Sequence, residues 1–103
     1  MPNIMDANTV ASGKFRPHPD VVWREVDGEV VLLHVLTGEY FGLDPVGSRV
    51  WQLLVHDGDH GRGLTELIAS VVAEFDVDEA TALSDVGALV QQLATQQLLV
   101  AVS

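Results

Sequence analysis

The chain has no cysteine. This excludes a disulfide framework, a thiolate nucleophile and any Cys-based zinc or iron–sulfur site. Positive charge is also scarce: five Lys and Arg stand against fifteen Asp and Glu, giving a net charge of −10, and none of the five lies beyond Arg62. Neutralising phosphates is the main source of affinity for DNA, so this balance argues against a nucleic-acid partner. No apolar run approaches the ~18 residues needed to span a membrane. The N-terminus carries no basic segment followed by an apolar core of the secretory kind. A cytoplasmic protein without membrane contact is expected. Phosphate-cradling glycine motifs are missing, and Val46-Gly47-Ser48-Arg49-Val50 is not the Gly-x-Ser-x-Gly elbow of serine hydrolases. His56 and His60 flank Asp57 and Asp59 in one loop, but a calcium loop would place an acid at position 68, which is Ile. The spacing suits a polar connection better than a metal centre. His18 and His34 have no evident partner in the pattern. No catalytic residue, no metal ligand and no cofactor is therefore assigned, and an independent enzyme is not expected.

What the chain does have is apolar surface. Hydrophobic residues make up 48% of its 103 residues and the mean hydropathy is positive. A chain of this length forms one small domain that buries about two thirds of its unfolded surface. There is little room for an enclosed active site, and the surplus apolar surface points to a partner interface or a dimer. Residues 1–19, with Asn, Ser, Gly and several prolines but no apolar period, read as a flexible N-terminal arm. Residues 20–103 form the folded domain.

Two β-branched runs, Val21 to Val26 and Glu29 to Val35, are separated by Asp27-Gly28, the signature of a two-residue type I′ hairpin. Leu36-Thr37-Gly38 supplies a second turn, with Gly38 able to take positive φ, and Glu39 to Leu43 forms a third, short strand at an edge. Alternation places Tyr40 and Gly42 on one face and Glu39, Phe41 and Leu43 on the other. Asp44 caps a first helix with Pro45 at its first position, burying Val46, Val50, Leu53 and Leu54 with Trp51 packed in the core. A second helix starts with Thr65 as cap and presents Leu67, Ile68, Val71, Val72 and Phe75. Asp78 caps a third that runs to about Gln96, with Leu83, Val86, Val90 and Leu93 in one stripe. Whether Leu98 to Val102 forms a strand is left open by the pattern. The fold class is α+β: a three-stranded antiparallel sheet followed by three helices, resembling a winged helix-turn-helix.

This order of elements, the wording Thr37-Gly38-Glu39-Tyr40-Phe41-Gly42-Leu43-Asp44, the helix bearing Val50-Trp51, and the later Ser84-Asp85-Val86 and Leu93 resemble the PqqD family of precursor-peptide recognition domains. The resemblance covers roughly residues 20 to 100. It departs at Gln97, where the family usually has Gly before the final apolar pair. The resemblance implies that the leader of a ribosomally made precursor peptide adds as a strand beside the third strand and lays apolar side chains against the third helix. The contact residues carried over are Glu39, Tyr40, Phe41, Gly42, Leu43, Leu83, Asp85, Val86 and Val90. The implied role is a non-catalytic adaptor that presents the leader to a processing enzyme. A lasso-peptide leader peptidase is favoured; the alternative is a peptide chaperone in pyrroloquinoline quinone biosynthesis serving a radical S-adenosylmethionine enzyme. Readings of another class are a winged-helix DNA-binding regulator and a dimerisation module, the latter a homodimer formed by strand exchange at the open edge.

Overall fold

The computed structural model describes residues 13–102. Two three-stranded antiparallel sheets and three helices make up this part of the chain. One sheet holds β2 (Val21–Val26), β3 (Glu29–His34) and β4 (Tyr40–Gly42) in that order, with β3 central. Asp27 and Gly28 both take positive φ, 53° and 84°, as the type I′ turn demands. Gly38 does the same at 77°, closing the next turn with its N–H donated to the His34 carbonyl. Pairing continues past the ends of β4, because His34 N–H reaches the Glu39 carbonyl and Leu43 N–H reaches the Val30 carbonyl. Val30, Leu32 and His34 point inward and are buried, while Leu33 points out.

The helices follow at once. Asp44 caps α1 (Pro45–Asp57), its Oδ1 accepting from Gly47 N–H at 2.7 Å. Val50, Trp51, Leu53 and Leu54 are buried on the inner side of this helix. The capping of α2 (Leu64–Glu74) differs from expectation: Gly63, not Thr65, is the cap, with its N–H donated to the Glu66 side chain. The cause is a strand the pattern did not show. Arg62 and Gly63 form β5 against Lys14 and Phe15, so the chain is held extended up to Gly63 and turns helical directly after it. Asp78 caps α3 (Glu79–Thr95) through a 2.7 Å bond from Thr81 N–H, and that bond holds the Asp78 carboxyl below the usual aspartate range.

The second sheet is new relative to the sequence reading. Its order is β5, β1 (Lys14–Pro17), β6 (Leu99–Val102). Residues 14–17, assigned above to a flexible arm, are the central strand of this sheet, and Phe15 is fully buried. The rest of that arm, residues 1–12, lies outside the described residues. The question left open at Leu98 to Val102 resolves as a strand that pairs with β1 from Lys14↔Val102 to Pro17↔Leu99. Asp57 and Arg62 form a bidentate pair across the intervening turn, and this hydrogen-bonded contact lowers the Asp57 carboxyl from its usual value.

Two details set the positions of these parts. The hydroxyl of Ser48, buried in α1, accepts from Val30 N–H at 2.8 Å and donates to the Leu43 carbonyl at 3.2 Å. At the other end of the domain, α3 closes in a Schellman turn: Leu98 N–H reaches the Leu93 carbonyl, Gln97 N–H reaches the Ala94 carbonyl, and Gln97 sits at φ 63°. The tight turn thus forms without the family's glycine.

Two outcomes are expected. Ser48→Ala leaves the buried Val30 N–H unpaired and should lower stability by about 1–3 kcal/mol in urea unfolding. Gln97→Gly relieves a side chain from the left-handed region and should raise stability by about 0.5–1 kcal/mol in the same measurement, the entropy of the unfolded glycine taking back part of the gain.

Candidate functional site

An edge strand leaves half of its backbone unpaired. In β4 the bonds to β3 run through Glu39, Phe41 and Leu43, the last two being opposite Leu32 and Val30. By the alternation of an antiparallel ladder, the N–H and C=O groups of Tyr40 and Gly42 then face away from the sheet. They form a short open edge with up to four hydrogen-bonding groups.

Beside that edge lies a groove of about 350 Å³ between β4, the start of α1 and the flank of α3. Phe41, Gly42 and Leu43 form its strand wall. Val46 and Gly47 from α1 close one end, next to the Asp44 cap. The helix wall is Asp85, Val86, Leu89, Gln92 and Leu93. Phe41 and Leu89 are half-buried, whereas Val86 is 1% exposed and forms floor rather than rim. The polar groups in the lining are Asp44, Asp85 and Gln92; no Lys or Arg is among them. Asp44 is committed to capping α1. Asp85 is exposed, and its carboxylate has no hydrogen bond or ion pair among the described residues.

The structure thus gathers Phe41, Gly42, Leu43, Asp85 and Val86 around one opening. Glu39 and Tyr40 belong to the strand but do not line it, and Tyr40 points to the opposite face, 72% exposed. Two of the expected residues fall elsewhere. Val90 is fully buried and does not line the groove. Leu83 is 52% exposed and lies beside α2, where it lines a second opening with Thr65, Ile68, Ala69, Val72 and Ala73. The reason is helical roll: Val86 is the middle of the buried stripe, Leu83 and Val90 lie to one side of it, and Asp85, Leu89 and Gln92 lie to the other. Sequence reasoning missed Leu89 and Gln92. Their spacing of four and seven from Asp85 is the signal that could have found them.

The loop with His56, Asp57, Asp59 and His60 is remote from this groove. Asp57 is occupied by Arg62, and Asp59 is within 4.0 Å of Arg16. Among the described residues no cluster of three or more His, Asp or Glu side chains is placed to hold a metal ion. No helix among them is long and apolar enough to cross a membrane.

An open strand edge with an apolar, acid-bearing groove between it and a helix defines a peptide-recognition type of surface. The sequence profile of the PqqD family, described as coenzyme PQQ synthesis protein D, matches residues 29–99, and the chain belongs to that family. Among solved structures it is similar to one described as TbiB1 in complex with the TbiA(beta) leader peptide, at 42% identity and a TM-score of 0.71, covering 82% of this chain and 93% of that one. It also shares its fold with a lasso peptide synthetase B1 complexed with the leader peptide, at 24% identity and a TM-score of 0.71, covering 84% of this chain and 98% of that one. No curated protein matches the sequence.

The two apolar helix positions behave differently under substitution. Val86→Arg buries an unpaired charge and should unfold the domain. Leu89→Arg, with the side chain reaching out of the groove, should cost about 1 kcal/mol of lost burial and leave a cooperative thermal transition.

Proposed function

We propose that this protein is a non-catalytic adaptor. It binds the leader of a ribosomally synthesised precursor peptide by strand addition to β4 and presents it to a processing enzyme, a lasso-peptide leader peptidase. The observation that carries this reading is the coincidence of the free backbone edge at Tyr40 and Gly42 with the groove against α3. The likeness to a protein solved with a leader peptide supports it.

Energetics explains why both parts are needed. Ordering each residue of a bound leader costs on the order of 1 kcal/mol, and each backbone hydrogen bond returns a net ~1 kcal/mol. Strand addition alone roughly breaks even. Selection then falls to side chains entering the groove, where a buried Leu or aromatic group contributes about 1.5–3 kcal/mol. Two or three such anchors give micromolar binding, about −8 kcal/mol. The unpaired Asp85 favours a leader that brings a Lys, Arg or backbone N–H to that end. Holding the leader raises the local concentration of the attached core peptide at the enzyme to about millimolar, with no chemistry in the adaptor.

The second reading, delivery of a peptide to a radical S-adenosylmethionine enzyme, has the family's own description in its favour. A winged-helix DNA regulator is disfavoured by charge. The helix that would enter the groove of DNA carries Asp78, Glu79 and Asp85 and no Lys or Arg.

The test is a fluorescence-anisotropy titration with the labelled leader of the precursor peptide encoded nearest this protein. Saturable binding at micromolar concentration or tighter is expected, weakened at least tenfold by Phe41→Ala and by Leu89→Arg. A verified monomer that does not bind the leader would overturn the adaptor reading.

A further inference from the structure

The outward face of the β2–β3–β4 sheet is covered by no element of the described chain. Val22, Leu33 and Tyr40 stand opposite one another across its strands. Val35 follows Leu33 on this face by strand alternation, its N–H paired with the Asp20 carbonyl, and Leu36 comes next in the turn after β3. These residues are 52, 37, 72, 52 and 75% exposed. Single exposed apolar side chains are ordinary, but an adjoining set of this kind marks an interaction surface.

Charge narrows the occupant. In a chain of net charge −10, the strand residues of this face include one cation, Arg24, opposite Val31. Arg24 is exposed and forms no ion pair among the described residues. The acids that border the face, Asp20 at one end and Asp27 and Glu29 at the other, leave its apolar middle free. A second copy is a poor fit. Pairing this face with itself would join two chains of the same large negative charge. A different protein, with an apolar patch and a carboxylate to meet Arg24, satisfies both constraints.

Continuity with the peptide edge narrows it further. Tyr40 belongs to both surfaces, its side chain on the outward face and its backbone groups at the open edge. A strand added at β4 would extend the sheet, and every second side chain of that strand would join the outward face. We propose that this face is the docking surface for the processing enzyme, and that the bound leader completes it. The enzyme then meets the loaded adaptor as a larger apolar face than the empty one. This inference rests on the leader-adaptor reading above.

Two readouts separate the two claims. Val22→Asp and Arg24→Glu alter exposed positions on β2, the strand farthest from the β4 edge, and circular dichroism verifies their folding. Leader affinity by anisotropy should stay within twofold of the wild type for both. In cleavage of the precursor by the leader peptidase encoded beside this protein, each should raise the adaptor concentration needed for half-maximal rate at least tenfold. Wild-type half-saturation in both variants overturns the docking surface while leaving the adaptor reading intact. Failure of the wild-type protein to bind leader overturns the adaptor reading itself. Sedimentation showing a wild-type dimer that either variant dissociates assigns the face to self-association and overturns the inference.

Discussion

A buried hydroxyl holds the site in shape. Val30 and Leu43 face each other where β3 and β4 would close a reciprocal pair of backbone bonds, yet only the bond from Leu43 N–H to the Val30 carbonyl is direct. The other is relayed through Ser48 Oγ, which accepts a hydrogen bond from Val30 N–H and donates one to the Leu43 carbonyl. The relay lets α1 enter the sheet end without leaving an unsatisfied donor, an omission that costs more than most contacts return. It also fixes where Asp44 begins the helix. The end of β4, the start of α1 and therefore the closed end of the groove are positioned by one side chain.

The groove's other wall depends on packing rather than hydrogen bonds. Ala82, Val86, Val90 and Leu93 bury one side of α3 and set its roll. That roll exposes Asp85, Leu89 and Gln92 towards β4 and turns Leu83 towards α2. Local caps at Asp78 and at the Gln97 turn fix the length of the helix, so its groove-facing residues cannot slide along the strand.

What could be read in advance was what is locally determined. The Asp27-Gly28 hairpin, the Asp44 and Asp78 caps and the edge position of β4 each follow from a few adjacent residues. The second sheet was not legible. Lys14–Pro17 sits among prolines, Arg62–Gly63 is too short to show a period, and both are strands only because a distant partner pairs with them. Within the site, the strand wall and the Asp85-Val86 step were legible. The choice between Leu83 and Leu89 was not, because a stripe with steps of three and four specifies a buried side and leaves open which of its two borders faces the strand.

The pairing of β1 with β6 also has a meaning in time. Lys14 waits for Val102, a partner 88 positions later in the chain (102 − 14). During synthesis, the hairpin and α1 emerge with their own partners at hand, while β1 first meets only the two-residue β5 and gains its full-length partner when β6 has emerged. Closure of the second sheet is then the final step of folding. It bears on the end of α3 through Leu98 and Leu99, both buried beside the turn that terminates that helix. A nascent chain would hold a complete peptide edge before it held a complete groove.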